Sequence, residues 1–244
     1  MGKRFLLAML CLVSATAATS AHYLWILPQT NDKGERLANV YFEEGPHPGD
    51  GYYLDPFVKD CKVWLRTQDK DGVTTITMKE HFGKKKVRGK KTRWLISKEE
   101  IPSPCAIDSY GKFGVYRYPN KLDVLLHYNA RHLDVKSGQQ LQAWARAEHL
   151  DADIVPGMIK NGVELQVLWK GKPAGVRTLK VRGPIAKNVR TDKDGKVQVA
   201  LSKPGLYRFQ SYIELKEPGK ENGKAYSVIR HHCTISMRWP LPKD

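Results

Sequence analysis

Apolar residues along the chain occur in short runs separated by Gly, Pro, Asn and Asp, and few of them recur at helical spacing. Short runs rich in β-branched and aromatic residues are typical of β-strands. A brief helical turn is predicted at Ser97 to Ser103, and the fold class is all-β. In the first half the runs predict strands at His22 to Leu27, Ala38 to Phe42, Lys62 to Thr67, Val73 to Met78, Thr92 to Ile96, Gly114 to Tyr118 and Leu122 to Tyr128.

The pattern becomes more regular after the segment from Glu148 to Gly157, where each apolar run is followed by a clear turn. Asp194-Gly195 between two alternating runs predicts a hairpin, and Pro204-Gly205 predicts another turn. Strands at this spacing are typical of an immunoglobulin-like β-sandwich. The sequence therefore predicts a signal peptide at residues 1–21, a β-rich domain at 22–150 and an immunoglobulin-like sandwich at 151–244.

The first residues have the features of an export signal: a basic start, an apolar run from Phe5 to Val13, and small residues that end at Ala21. The apolar run is too short to span a bilayer. Cleavage after Ala21 would make His22 the first residue of the mature chain, whereas cleavage at the competing Ala17 would leave it internal. We therefore expect an exported protein, periplasmic or extracellular, that is soluble after the signal is removed.

The chain is basic, with a formal net charge of +16 that falls to about +14 when Lys3 and Arg4 leave with the signal. An exported protein does not routinely meet nucleic acid, so nucleic acid is not an expected partner. The densest basic run, Gly83 to Arg93, has no aromatic residues interleaved for stacking on bases and is expected to form a hairpin or loop. It is either solvated or in contact with anionic lipid, cell wall or polysaccharide.

Three cysteines remain after Cys11 is removed with the signal. In an oxidising compartment Cys61 and Cys105 are the expected disulfide pair because both lie beside turn-rich sequence. Cys233 lies within a strand-like run and is expected to be a buried free thiol. The cysteines lack the C-x-x-C spacing of a zinc site or a redox dithiol.

An N-terminal histidine can bind a metal ion through two neutral nitrogen atoms, its free amine and a ring nitrogen. His22 would have this property in the mature chain. A second candidate is His231, which alternation places on the same face of the last strand as the apolar residues Cys233 and Ile235. A histidine on a buried face is either hydrogen-bonded within the core or a ligand. The neighbouring His232 is expected to be an exposed strand residue.

Three further residues could complete a metal site. Glu43 and His47 lie in or beside a Gly- and Pro-rich loop, where functional side chains are often presented and where acidic residues are also commonly only solvated. His127 lies in a run that is apolar on both faces, which is typical of a central strand. The sequence contains no nucleophile elbow, phosphate-binding loop, H-E-x-x-H helix or dinucleotide fingerprint, so no catalytic residue is predicted.

Five segments of the sequence together resemble one exported family. They are "AHYLWILP", "VYFEEGPHPGDGYYLD", "LLHYNARHL", "TDKDGKVQVALSKPGLYRF" and "GKAYSVIRHHCTISMRW", and they follow in this order over nearly the whole mature chain. The chain resembles the exported domain-of-unknown-function 4198 family, which is described as similar to the NikM and NikK components of nickel uptake. The resemblance implies a secreted or periplasmic β-rich protein that handles metal and has an immunoglobulin-like second half.

The resemblance also assigns two residues. It places the early histidine of the family on His22 and the histidine of its closing motif on His231. The chain departs from the family at His232, where an aromatic residue is usual, and at Cys233, which replaces a small residue.

The leading hypothesis is a secreted or periplasmic protein that binds a divalent transition metal, nickel or copper, through His22 and His231, with Glu43, His47 or His127 completing the site. A membrane metal transporter is the partner that the resemblance suggests. The alternatives are a cell-surface binding or scaffold module that holds no metal, and a copper-dependent polysaccharide monooxygenase. Of these three, only the last is an enzyme.

Overall fold

The computed structural model describes residues 22–69 and 72–241, so the predicted signal peptide at 1–21 lies outside the described residues. The described chain consists mostly of β-strands, which confirms the all-β prediction. It contains no helix that is long and apolar enough to cross a membrane. Two short helices are present in this part of the chain, α1 (Asp55–Asp60) and α2 (Gly138–Trp144).

The strands divide between the two halves of the chain. The first half contains β1 (Tyr23–Thr30), β2 (Arg36–Glu43), β3 (Lys62–Arg66), β4 (Thr74–Thr75), β5 (Met78–Val87), β6 (Lys90–Glu100), β7 (Cys105–Arg117) and β8 (Asp123–Asp134). The second half contains β9 (Ala152–Ile159), β10 (Gly162–Trp169), β11 (Lys172–Pro173), β12 (Leu179–Arg182), β13 (Lys187–Val189), β14 (Lys196–Ala200), β15 (Gly205–Leu215), β16 (Gly219–Glu221), β17 (Lys224–Tyr226) and β18 (Val228–Trp239).

Eight strands form one central sheet in the order β13-β12-β15-β18-β8-β7-β3-β4. Neighbouring strands in this sheet are antiparallel except for β18 and β8, which run parallel with His232 opposite Tyr128. Because β8 lies in the first half of the chain and β18 near its end, the central sheet combines strands from both predicted domains. The predicted boundary at residue 150 falls in the connection between α2 and β9.

Two smaller sheets cover opposite faces of the central sheet. The N-terminal sheet (β1-β2-β6-β5) packs with β1 across β8 and β18, and it shares an apolar core with Val124 and Leu126. The C-terminal sheet (β9, β10, β11 and β14) packs with β9 across β18 and β15, and it shares a second core with Ile235 and Met237. Successive side chains of β18 therefore point alternately into one buried layer and the other.

Several sequence predictions need correction against this fold. The basic run from Gly83 to Arg93 does form a hairpin, in which both residues between β5 and β6 adopt positive φ angles. The helical turn predicted at Ser97 to Ser103 is wrong, because β6 continues to Glu100 and pairs with β5 as far as Ser97. The hairpin predicted at Asp194-Gly195 is also wrong, because the turn leads from β13 in the central sheet to β14 in the C-terminal sheet.

The predicted disulfide between Cys61 and Cys105 is wrong as well, since Cys61, Cys105 and Cys233 are all free thiols. Cys61 directly precedes β3, whose first residue pairs with Tyr110 on β7. Cys105 is the first residue of β7, so the two cysteines are about six residues, or about 20 Å, apart along the strand direction. A disulfide requires Cα atoms within about 7 Å of each other. Cys233 is buried, as expected.

A buried ion cluster connects the two halves of the chain. Arg131 on β8 is 1% exposed, and its Nε donates to the Asp108 carboxylate on β7 at 2.8 Å. Its Nη1 donates to both carboxylate oxygens of Asp153 on β9, at 2.9 and 3.0 Å. Nη1 and Nη2 also donate to the main-chain carbonyls of Ala145 and Trp144 at the end of α2. All three guanidinium nitrogens therefore have acceptors, which is the condition for burying such a charge.

Candidate functional site

A cleft of about 460 Å³ opens between the N-terminal sheet and the central sheet. Its walls are rich in aromatic residues, which come from β1, β2, β7, β8 and β15 and from the loops beside α1 and β8. We call it the tyrosine cleft because its lining includes Tyr23, Tyr53, Tyr116, Tyr118, Tyr128 and Tyr212.

His232 lies in the wall of the tyrosine cleft among tyrosines of three strands. Its ring stacks on Tyr128 with centroids 4.7 Å apart, and the rings of Tyr23 and Tyr212 lie 5.4 and 5.7 Å away. The register of the sheet produces this arrangement, because His232 pairs with Tyr212 on one side and Tyr128 on the other. The prediction that His232 is exposed is wrong: the residue is 4% exposed because the N-terminal sheet covers this face of β18.

The His232 ring is incompletely hydrogen-bonded. Neither of its ring nitrogens has a hydrogen-bond partner among the described residues. Burial, together with the positive charge of Arg230, lowers the pKa of His232 to about 3. The ring is therefore neutral at physiological pH, with one nitrogen able to donate and the other able to accept. Buried polar groups of this kind normally have a partner, so His232 marks an unsatisfied position in the cleft wall.

Three cations line the tyrosine cleft. Arg230 is held by Glu214, with Nη2 and Nε at 2.5 and 3.1 Å from the same carboxylate oxygen. Arg88, at the turn between β5 and β6, lies 3.6 Å from a carboxylate of the loop after β2. Lys180 on β12 donates from Nζ to the hydroxyl of Tyr23 at 3.3 Å. Two of the three cations thus have a carboxylate partner, and Lys180 has a phenol.

His22 lines the same cleft directly before β1. Its Nε2 lies 3.5 Å from Oε2 of Glu43, and its ring packs edge-on against Tyr53 at 5.3 Å. The pairing of β1 with β2 brings the two residues together, because Tyr23 lies opposite Glu43. The Glu43 carboxylate also lies against the main chain of Gly49, where an added Cβ would be 1.6 Å from Oε1. The position of Glu43 therefore depends on a residue without a side chain at 49.

His127 and His231 lie together on the other face of the central sheet, which the C-terminal sheet covers. Their rings stack with centroids 4.5 Å apart, and Trp169 lies 4.4 Å from the His231 ring. The Tyr110 hydroxyl is 2.7 Å from Nδ1 of His127. Burial lowers the pKa of His127 and lowers that of His231 to about 3. Since His22 lines the cleft on the opposite face, the structure does not bring it together with His231.

His47, the remaining candidate, lies in the loop after β2, where its ring and the Arg208 guanidinium both approach Gly45. Within residues 22–69 and 72–241, no group of three or more His, Cys, Asp and Glu side chains is placed to hold a metal ion. His22 therefore contacts Glu43 on one face of the central sheet, and His127 contacts His231 on the other face. The two pairs do not form one site.

The sequence does not indicate that Lys180, Tyr212 or Arg230 is a site residue. Each lies on a strand of the second half and reaches the cleft only because the central sheet places that strand beneath β1. A signal was present in β15 and β18, where aromatic and basic residues interrupt otherwise apolar strands.

No family model matches the chain, and no curated protein sequence is significantly similar to it. The family resemblance drawn from the five segments therefore stays a prediction.

Proposed function

We propose that this protein is an exported metal-binding protein that holds a divalent first-row ion, nickel or copper, at His22. The observation that carries the proposal is the contact between Nε2 of His22 and the Glu43 carboxylate at 3.5 Å. In a mature chain that begins at His22, the free amine belongs to the same residue. One residue would then supply two nitrogen donors beside an ordered carboxylate.

The Glu43 contact determines which ring nitrogen would bind the ion. A carboxylate beside Nε2 favours the tautomer that carries the proton on this nitrogen, which leaves the lone pair on Nδ1. Nδ1 is the ring nitrogen that can close a chelate with the amine of the same residue. Glu43 therefore acts on the ion through the imidazole, as the carboxylate partners of metal-bound histidines do.

The remaining coordination positions would face the tyrosine cleft, because His22 is part of its lining. Nickel and copper both suit nitrogen ligands, and copper binds more tightly at equal geometry, so supply would decide which ion is held. The proposed site does not include His231 or His127, whose rings stack on each other on the opposite face of the central sheet.

The proposal includes cleavage of the predicted signal peptide and an immunoglobulin-like sandwich at residues 151–244. The support for the sandwich is that β9, β10 and β14 share one apolar core with β12, β15 and β18. A membrane metal transporter is the proposed partner, and this part of the proposal depends on the family resemblance alone.

The test is calorimetric titration of Ni²⁺ and Cu²⁺ into a tag-free chain that begins at His22. We expect one equivalent to bind. A chain with one alanine added before His22 should bind at least about 100-fold more weakly, because the amine leaves the chelate, and Glu43→Gln should lower affinity about 10- to 100-fold. His149→Ala is the matched control, since this ring packs on Trp64 and does not line the cleft.

Unchanged affinity of the extended chain would overturn the proposal. Loss of binding in His231→Ala, with the His22 site intact, would instead place the ion behind the central sheet.

A second candidate function is a binding module that needs no metal. The tyrosine cleft favours it, because a large aromatic cleft with an unsatisfied buried histidine is suited to a small-molecule or glycan ligand without any ion.

A further inference from the structure

Three half-buried cations lie in a row beside β1. Lys180 and Arg182 are on the same face of β12, and Arg208 on β15 lies directly opposite Arg182. Among the described residues, none of the three has a carboxylate oxygen within 4.0 Å. We call these residues the basic row.

The basic row contributes little to the stability of the fold. Like charges directly opposite each other on neighbouring strands are destabilising, and burial together with the charge of Arg182 lowers the pKa of Arg208. The contacts of the row are neutral: Lys180 lies 5.6 Å over the ring of Tyr23, and the Arg208 guanidinium lies 5.8 Å over Trp25. Arg182 donates to oxygens of uncharged groups on β12 and β13. Half-buried cations without a counter-charge are suited to an anion from outside the chain.

The basic row is continuous with the tyrosine cleft, because Lys180 belongs to both. Tyrosine rings present flat apolar faces and, at their ends, hydroxyl groups that can donate and accept hydrogen bonds. The His232 ring lies in the same wall, and its two buried nitrogens have no partner among the described residues. A ligand that extends from the cleft to the row would therefore need a ring, several hydroxyl groups and an acid.

We propose that the tyrosine cleft and the basic row together bind an acidic oligosaccharide, with one sugar ring against the tyrosines and carboxylates of the chain on Lys180, Arg182 and Arg208. The cleft volume of about 460 Å³ is adequate for one or two sugar rings. The formal net charge of +16 favours association with a polyanion. The inference does not depend on a metal ion at His22.

Other anions fit these features less well. A planar aromatic acid would cover the tyrosine faces but would leave their hydroxyls without new partners. Inorganic phosphate or polyphosphate would pair with the basic row and leave the cleft empty. Only a hydroxyl-rich ring joined to further acidic units uses both features.

The test is calorimetric titration of the mature protein in the presence of a chelator, so that a metal ion cannot contribute. The probe is tetragalacturonate, and the comparison probes are the uncharged maltotetraose and tripolyphosphate. We expect tetragalacturonate to bind at least about tenfold more tightly than either, because one charge-assisted hydrogen bond is worth about this factor. Equal binding of maltotetraose, tighter binding of tripolyphosphate, or no binding of tetragalacturonate would each overturn the proposal.

Variants locate the site within the folded protein. Lys180→Gln and Arg208→Gln should each weaken tetragalacturonate binding about tenfold by removing a charged donor, and Tyr212→Ala should weaken it by removing a ring face. Lys172→Gln, an exposed lysine on β11, is the matched charge control and should leave affinity unchanged. Thermal unfolding of each variant verifies that it is folded. Unchanged affinity in both folded cation variants, or in folded Tyr212→Ala, would overturn the proposal.

Discussion

Replacing Asp153 by Asn should destabilise the protein strongly, because it removes charge compensation from a buried ion cluster. In the native chain the guanidiniums of Arg131 and Arg66 are neutralised by Asp153 and Asp108, and in the variant they would share Asp108 as their buried carboxylate. Asp153 also accepts from the main-chain N–H of Ala147 at 2.8 Å. An asparagine amide has one oxygen, so its NH₂ group would face one of these donors.

The magnitude follows from the burial of the cluster. Removing one partner of a buried ion pair typically costs about 3–5 kcal/mol. Single domains have free energies of unfolding of about 5–15 kcal/mol, so the loss is a large fraction of the total. With a urea slope of about 2–3 kcal/mol per molar, the unfolding midpoint should fall by roughly 1–2 M.

The assay is urea unfolding followed by tryptophan fluorescence, which the 6 tryptophans of the chain make practical. The matched control is Arg117→Gln, which breaks an ion pair with Asp123 at 3.4 Å in which the arginine is 69% exposed. Pairs of this kind contribute at most about 1 kcal/mol, so the control should change the midpoint little. If Asp153→Asn shifted the midpoint no further than the control does, the cluster would not stabilise the junction of β8 and β9 as we infer.

Three further predictions concern protonation, the His22 site and the thiols. Burial holds the pKa of His132 near 4 and those of His231 and His232 near 3, below the value of 6.5 in the unfolded chain, so the unfolded state binds more protons at acidic pH. The free energy of unfolding should therefore fall as the pH decreases from about 6.5, by up to about 1.4 kcal/mol per pH unit for each histidine. Equal urea midpoints at pH 7 and pH 5 would contradict this prediction. Gly49→Ala should displace the Glu43 carboxylate and lower the affinity of the mature chain for Ni²⁺ or Cu²⁺ about tenfold in the same titration, with unchanged affinity counting against the role of Glu43. Thiol titration of the urea-unfolded mature chain, without reductant, should detect three free sulfhydryls, those of Cys61, Cys105 and Cys233. Detection of only one sulfhydryl would show that a disulfide forms between two of these cysteines.

The strand pattern of the chain was predictable because alternation is a local property. The segments around Leu126 and His231 are strands as predicted, and Cys233 and Ile235, which are predicted to share a face with His231, lie in one apolar core, since neighbours on a strand point to opposite sides. From the sequence, the candidate partners of His22 in the first half of the chain include two residues in or beside one loop, Glu43 and His47. The sequence does not show that Glu43 is the one in contact with His22. This contact depends on the register of β1 with β2 and on the space that Gly49 leaves.

The all-β character, the basic hairpin and the alternation of β8 and β18 follow from local sequence patterns. Which faces are covered depends on long-range packing, because β8 and β18 pair in parallel across about 100 residues of chain and a separate sheet packs on each side. Alternation separates His231 from His232 but contains no information about what lies above either ring. The covering sheets bury His232 among tyrosines beside His22 and bury His231 against Trp169, so the face that appeared exposed is the one that lines the cleft.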